Sequence, residues 1–220
     1  MNHTTLNPTG VLAVFDLDGT LVRGDTFLPF VLGYARARRR VRPLVTLPLW
    51  LGLYAARILP DHRAKQRVLT SFFRGECTDR VSKYAEAFTE SWVRPRLHAS
   101  VFGRLTEHLS AGHRVVLLSA SPDLYVGSVG RGLGIEEVLC TQVRRTATAW
   151  DGALNGPNCK GEQKLIRLRA HLGAETWPGE SFAYGDSSSD LPVLRWATHG
   201  FLVSRRGELT RVPSMATCPN

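Results

Sequence analysis

Three short apolar runs in the sequence each have the length of one β-strand. They lie within residues 11–15, 114–118 and 181–184, and a polar residue follows each of them within two positions. An apolar run of this length, bounded by polar residues, is typical of a strand that is buried on both faces. Segments with helical spacing lie between the runs, and strands that alternate with helices form parallel sheets. The pattern therefore predicts an α/β fold built on a doubly wound parallel sheet.

A long block after the first strand has helical spacing of its apolar residues and no clear strand pattern. It extends from residue 21 to about residue 94. We predict that residues 21–94 form a helical cap domain inserted just after the first strand. Residues 1–20 and 95–220 are then predicted to form the core domain.

The remaining elements of the core are predicted from the pattern beyond residue 95. In chain order they are a helix through Leu97, Val101, Leu105 and Leu109, a helix over 123–133, a strand over 138–143, a short hairpin over 146–156, helices over 160–172 and 191–197, and an edge strand over 201–203. The tail from Ser204 onward is polar, and we expect it to be loose.

The charge of the chain is unusual for an otherwise ordinary globular composition. With 28 basic and 19 acidic residues the formal net charge is +9. Such a balance favours anionic substrates, a membrane surface or nucleic acid as partners. Because no helix-turn-helix, RNP or zinc-finger pattern is present, we expect no nucleic acid partner.

The cysteines and the N-terminus indicate the compartment. The four cysteines are scattered and include no Cys-x-x-Cys pair: Cys77, Cys140, Cys159 and Cys218. This usage argues against a zinc site or a disulfide framework and for a reducing compartment. Residues 1–10 lack the apolar core of a signal peptide. We expect a cytoplasmic protein.

Two pairs of carboxylates follow predicted strands. Asp16 and Asp18 follow the first strand, and Asp186 and Asp190 follow the third. Asp and Gly are ordinary turn residues, so each pair alone is also explained as a simple strand exit. In open parallel sheets, however, ligands bind at the carboxyl ends of the strands. Both pairs are therefore placed for chemistry.

A serine and a lysine extend this pattern. Ser119 ends the second strand, and Lys160 stands at the predicted start of a helix. Taken alone, Ser119 is explained as a turn or cap residue, and Lys160 as a solvated charge. In order along the chain, however, the aspartate pair, serine, lysine and aspartate pair resemble the four motifs of the haloacid dehalogenase (HAD) superfamily. The resemblance extends from Asp16 to Asp190.

The resemblance implies a HAD-type Rossmannoid core with a helical C1-type cap inserted after the first strand. It also implies a Mg²⁺-dependent phosphomonoester hydrolase that acts through an aspartyl-phosphate intermediate. Asp16 would be the nucleophile, and Asp18 the general acid and base. The resemblance assigns the Mg²⁺ ligands to Asp16, the backbone carbonyl of Asp18, and Asp186, with Asp190 in support.

Ser119 and Lys160 would bind the substrate phosphate in this resemblance. Lys160 would also hold Asp16 and Asp190 in place. Lys164 is a rival for the same role. We expect Lys160, because Lys-Gly-Glu at this distance before Gly-Asp resembles the family more closely.

Finer likenesses within the superfamily bear on the substrate. An acid at Asp18 is shared by phosphatases and phosphomutases and is missing from dehalogenases. The motifs resemble subfamily IB, but phosphoserine phosphatases have Ser-Gly-Gly-Phe where this chain has Ser-Ala-Ser-Pro, and Glu in place of Asp25. The cap and the Arg-Gly-Glu-Leu segment at 206–209 look more similar to phosphatidylglycerophosphatase C. Two alternatives remain: a HAD-type phosphotransferase or phosphomutase, and a non-catalytic membrane-surface binding protein.

An uncharged stretch at residues 43–56 leaves the substrate open between a small and a lipid-linked phosphate monoester. It follows five arginines between Arg36 and Arg42. The stretch is shorter than the ~20 apolar residues that a membrane span needs. It is explained either as a buried cap helix or as an interfacial element, with Trp50 and Tyr54 at the boundary and the arginines at anionic lipids. If the stretch is an interfacial element, we expect the protein to contact the inner face of the membrane peripherally.

Overall fold

The core of the computed structural model is a six-stranded sheet. The structure describes residues 10–39 and 42–214. The strands of this sheet are β1 Leu12–Phe15, β2 Arg114–Pro122, β3 Glu137–Thr141, β6 Ser181–Gly185, β7 His199–Val203 and β8 Leu209–Val212. Their order across the sheet is β3-β2-β1-β6-β7-β8. All neighbouring pairs are parallel except β7 and β8, which are antiparallel. The predicted α/β fold with a mainly parallel sheet is confirmed.

Helices cover both faces of this sheet, as the apolar pattern of β1 requires. Alternate residues of β1 enter two different apolar clusters, because successive side chains of a strand point to opposite faces. Phe15 belongs to the cluster that contains residues of α5 Ala99–Ser110 and α6 Val126–Gly132. Val14 belongs to the other, with residues of α7 Glu162–Leu172 and α8 Leu191–Trp196. Two helices therefore pack on each side.

Four helices lie between β1 and α5, where the cap was predicted. They are α1 Phe27–Ala37, α2 Arg42–Ala55, α3 Asp61–Phe73 and α4 Thr78–Phe88, followed by a short π-helix and a 3₁₀ turn up to Arg96. Their interior is aromatic: the ring of Phe30 contacts those of Tyr34, Phe73, Tyr84 and Phe88. The boundaries of the cap domain at 21 and 94 stay a prediction.

A two-stranded antiparallel sheet of β4 Val143–Arg145 and β5 Trp150–Leu154 packs on the cap. Thr70 of α3 donates a hydrogen bond from Oγ1 to the carbonyl of Gly152 at 3.1 Å. A Cβ at Gly152 would lie 2.6 Å from the backbone of Thr70, so only glycine permits this contact. A hairpin is present, but the predicted boundaries of 146–156 are wrong: it spans residues 143–154, and residues 146–149 form its turn. The strand predicted over 138–143 is wrong, because the chain turns at Gln142 and divides it into β3 and β4.

The C-terminal end of the described chain differs from the prediction. The strand expected at the sheet edge is interior, because Leu209–Val212 pairs with it as β8. The tail is therefore not loose between Ser204 and Ser214, where the described residues end. Ser204 Oγ accepts the N–H groups of Arg206 and Glu208, at 3.2 Å and 3.1 Å, and thereby stabilises the turn between the two strands.

The uncharged stretch of the cap forms helix α2, with Pro48 inside it. Among the described side chains of α2, Leu47 is buried, whereas Val45 and Leu49 are 74% and 55% exposed. A wholly buried cap helix is thus not what the structure has. Among the residues that the structure describes, no helix combines the length and the apolar character needed to cross a bilayer. The side chain of Tyr54 and residues 40 and 41 lie outside what is described.

Candidate active site

The loop after β1 brings the first pair of carboxylates to the edge of the sheet. Gly19 follows Asp18 with a φ of +76°, a conformation that L side chains rarely adopt. A Cβ on Gly19 would lie 2.1 Å from Oδ2 of Asp186. Glycine is therefore required at position 19 for two reasons: the turn needs a positive φ, and the carboxylate of Asp186 approaches from the end of β6.

Three carboxylates meet at this edge. One oxygen each of Asp16, Asp186 and Asp190 lies within 4.8 Å of the others. Gly185 makes this possible, because a Cβ there would lie 2.4 Å from Cβ of Asp190. A donor set made only of carboxylate oxygens suits Mg²⁺, and such crowded negative charge needs a cation. These residues fit the ion that the sequence predicts.

Lys164 bridges two of these carboxylates. Its Nζ lies 2.6 Å from Oδ1 of Asp16 and 2.6 Å from Oδ1 of Asp190, and its side chain is 3% exposed. Burial alone would lower the pKa of Lys164, but the two carboxylates raise it above the ordinary value. The ammonium is therefore charged inside the site.

The prediction that Lys160 holds Asp16 and Asp190 is wrong. Nζ of Lys160 lies 2.8 Å from Oδ2 of Asp61 instead. The reason is where α7 starts. Lys160 precedes the helix, whereas Lys164 lies in its first turn, on the face that packs on the sheet. The two lysines are only four residues apart, and the sequence alone did not show which of them reaches the carboxylates.

Asp16 is buried, and its remaining oxygen is also bound. Thr20 donates a hydrogen bond from Oγ1 to Oδ2 of Asp16 at 3.1 Å. Burial raises the pKa of Asp16 to about 7, against the opposing effect of Lys164, and the charges of Asp190 and Asp18 add to the rise. A bound cation would favour the ionised form.

Asp18 points away from this cluster. Its Oδ1 accepts the backbone N–H of Thr26 at 2.6 Å, and its Oδ2 accepts Oγ of Ser121 at 2.6 Å. Burial raises the pKa of Asp18, the charge of Asp25 adds to this, and the two hydrogen bonds oppose it. A carboxyl held in one orientation with a raised pKa suits proton transfer. The metal contact through the Asp18 carbonyl stays a prediction.

Ser119 lies at the same edge of the sheet. Phe15 of β1 is paired with Leu117 of β2, and Ser119 comes two residues further along. Its side chain is fully buried, and its Oγ accepts the N–H of Ser121 at 3.0 Å. Contact between Ser119 and a substrate phosphate stays a prediction.

A cavity of about 270 Å³ opens from the site toward the cap. It is lined by Asp18, Asp25, Phe27, Leu28, Trp50, Asp61, Ala64, Lys65, Val68, Ala120, Ser121 and Lys160. Sequence reasoning missed three residues at or near the site: Thr20, Ser121 and Lys65. Thr20 and Ser121 carried a signal, since each stands within two residues of a predicted site residue. Lys65 carried none.

Comparison with known proteins agrees with this arrangement. A model of the haloacid dehalogenase-like hydrolase family matches residues 13–195. Protein CicA of Caulobacter vibrioides is 30% identical over 187 residues, which are 84% of this chain and 82% of that protein. A probable phosphatase of Mycobacterium tuberculosis is 27% identical over 214 residues, which are 94% of this chain and 73% of that protein.

Solved structures show the same fold. A protein with unknown function from Bordetella pertussis is 24% identical and superposes with a TM-score of 0.74 over 86% of this chain and 88% of that one. A phospho-aspartyl intermediate analogue of phosphoserine phosphatase is 17% identical, with a TM-score of 0.56 over 89% of this chain and 86% of that one.

The chain belongs to the haloacid dehalogenase-like hydrolase family and is an enzyme of it. The likeness to phosphatidylglycerophosphatase C stays a prediction.

Proposed function

We propose that the protein is a Mg²⁺-dependent phosphomonoester hydrolase that acts through an aspartyl-phosphate on Asp16. The observation that carries this proposal is the contact of Lys164 with Asp16 and Asp190, with Asp186 beside them. This arrangement supports Asp16 as the nucleophile, because a fixed positive charge on Lys164 and a candidate cation site at Asp186 lie next to it. The name of the probable phosphatase among the relatives supports the same reaction class.

Each residue then has a defined step. An oxygen of Asp16 attacks phosphorus, the bond from phosphorus to the ester oxygen breaks, and Asp18 gives its proton to that oxygen. Asp18 next takes a proton from water, whose oxygen displaces Asp16 from phosphorus. Lys164 offsets the negative charge of the phosphoryl group. Mg²⁺ held by Asp16 and Asp186 would supply further charge neutralisation.

Phosphate release from a panel of esters tests this function. The panel contains p-nitrophenyl phosphate, phosphoserine, glycerol phosphate and sugar phosphates, with EDTA and Asp16→Asn as blanks. We expect Mg²⁺-dependent release from at least one ester by the wild type and none by Asp16→Asn. Release that persists in Asp16→Asn would contradict the assignment of the nucleophile.

A membrane lipid is a second candidate for the substrate, and the surface of the cap favours it. Four of the five large apolar side chains exposed in the described chain lie between residues 26 and 60: Leu32, Val45, Leu49 and Ile58. The same 35 residues include six arginines and no acidic residue. Exposed apolar residues next to positive charge are typical of interfacial helices on anionic bilayers.

Co-sedimentation with vesicles tests the lipid candidate. We expect the wild type to bind phosphatidylglycerol vesicles and not phosphatidylcholine vesicles, and Val45→Ser/Leu49→Ser to bind neither. Ile166→Ser serves as the matched control, because Ile166 is the one large exposed apolar residue outside residues 26–60 in the described part of the chain. Equal binding by the wild type and the double variant would contradict this candidate.

A further inference from the structure

A partly buried lysine lines the cavity beside Asp18. Lys65 of α3 donates hydrogen bonds from Nζ to the carbonyl of Ala120 at 2.8 Å and to Oδ1 of Asn158 at 2.9 Å. Both acceptors are uncharged. An ammonium group has three donors, and two of them are used here. Lys65 forms no ion pair with any residue in the described part of the chain.

The second lysine at this cavity differs in this respect. Nζ of Lys160 forms an ion pair with Asp61 at 2.8 Å, so its charge is already compensated. Burial lowers the pKa of Lys65, and the carboxylates of Asp61 and Asp18 oppose this effect without cancelling it. A partly buried cation without a paired anion loses part of its hydration, and an anion from outside the chain would offset that loss.

The position of Lys65 indicates where that anion lies. Lys65 and Asp18 line one cavity, and Asp18 protonates the ester oxygen in the proposed mechanism. The cavity therefore receives the leaving group. Phe27, Leu28 and Trp50 give its wall an apolar surface, and Nζ of Lys65 lies 6.0 Å from the ring centre of Phe27.

Resting on the proposed function, we propose that Lys65 binds an anionic group of the substrate's leaving group. The substrates are then phosphate monoesters whose alcohol carries a carboxylate or a phosphodiester, with an adjoining apolar part against Phe27 and Trp50. A carboxylate belongs to a soluble acid and a phosphodiester to a lipid head group. Both groups present negatively charged oxygen atoms, which accept charge-assisted hydrogen bonds from an ammonium group.

Two matched pairs of substrates test this proposal. The soluble pair is phenyl phosphate and 4-carboxyphenyl phosphate; the micellar pair is phosphatidic acid and phosphatidylglycerophosphate. Only the second member of each pair has an anionic leaving group. We expect wild-type kcat/KM to favour the anionic member of at least one pair by about tenfold or more. A preference in the soluble pair alone indicates an acid, and one in the micellar pair alone indicates a lipid head group.

Variants assign this preference to Lys65. We expect Lys65→Met to abolish it mainly through KM, Lys65→Arg to retain part of it, and Lys160→Met to retain all of it because that lysine is already paired. Melting temperatures establish that each variant is folded. If Lys65→Met lowers kcat/KM equally for both members of each pair, Lys65 only connects the cap to the core, and the proposal is wrong. A wild type without preference also overturns it.

A binding measurement separates this proposal from the proposed function. Calorimetry compares 4-hydroxybenzoate with phenol as ligands of the wild type and of Lys65→Met, without any turnover. Tighter binding of 4-hydroxybenzoate that is lost in Lys65→Met supports the subsite even if no ester is hydrolysed, and the proposed function alone would then fail. Equal binding of the two ligands, together with no preference in the micellar pair, overturns the subsite.

Discussion

The Nζ atom of Lys164 lies 2.6 Å from Oδ1 of Asp16, a residue 148 positions earlier in the chain. The contact joins the first turn of α7 to the end of β1. A buried ammonium in this position fixes the orientation of the carboxylate that we propose as the nucleophile. It also offsets the charge that a phosphoryl group brings to the site.

Replacing Lys164 by methionine should therefore abolish most activity. We expect kcat to fall by about 10²-fold or more, because a preorganised charge at the reacting group is lost. Lys160→Met is the matched control, since that side chain is paired with Asp61 outside the carboxylate cluster. Steady-state phosphate release measures both. A larger loss of kcat in Lys160→Met than in Lys164→Met would restore the prediction made from the sequence.

The carboxylate cluster should make the melting temperature depend on Mg²⁺. A ligand that binds only the folded state stabilises it by mass action. We expect Mg²⁺ to raise the melting temperature of the wild type, and Asp186→Asn to lose most of this rise. Asp151→Asn, which changes a carboxylate of β5 away from the cluster, should keep it. An unchanged response in Asp186→Asn, measured by calorimetric melting, would exclude Asp186 as a ligand.

Alanine variants at Gly19 and Gly24 distinguish the effect of backbone strain from the effect of a clash with the site. Both have positive φ, +76° and +83°, but only a Cβ on Gly19 would overlap Asp186. We expect alanine at either position to cost about 1–2 kcal/mol of unfolding free energy. Only Gly19→Ala should also lose activity and the response to Mg²⁺. Equal activity in the two variants would show that Asp186 can move away from the added methyl group without a loss of activity.

A buried histidine below β1 should make stability depend on pH. Nε2 of His108 lies 3.1 Å from the hydroxyl of Tyr184. Burial, and then the charge of His113, lower the pKa of His108 from its ordinary value of 6.5 to about 4. Between these values the unfolded state binds more protons, so the unfolding free energy falls as the pH decreases from about 6.5 to about 4.

The variant His108→Gln isolates this contribution. We expect its unfolding free energy to depend less on pH over that interval than that of the wild type, as measured by urea denaturation at several pH values. Parallel profiles for the two proteins would mean that the pKa of His108 is the same in the folded and unfolded states.

The sequence predicted the parts of the fold that depend on local pattern. β1, β2 and β6 were found because strands buried on both faces have continuous apolar runs. The acidic residues at the strand ends were found because their order along the chain resembles a known set of motifs. β8 was missed, because Leu209–Val212 has polar residues at two of four positions and is defined by its pairing with β7.

The parts of the site that depend on contact between distant segments were not predicted. Lys164 rather than Lys160 reaches Asp16 because of where α7 starts. The spacing of motifs along the sequence does not locate the start of a helix to within four residues. Ser121 contacts Asp18 because β2 lies beside β1 in the sheet, whereas Lys65 reaches Ala120 through the approach of the cap to the core. No local pattern encodes that approach.

Mass spectrometry of the enzyme during turnover tests the central claim most directly. The wild type is mixed with a hydrolysed ester and Mg²⁺, quenched in acid within milliseconds and digested. We expect the mass of one phosphoryl group on the peptide that contains Asp16, localised to that residue, and no such species in EDTA or in Asp16→Asn. Steady turnover with this peptide unmodified, or with the phosphoryl group on another residue, would contradict the account.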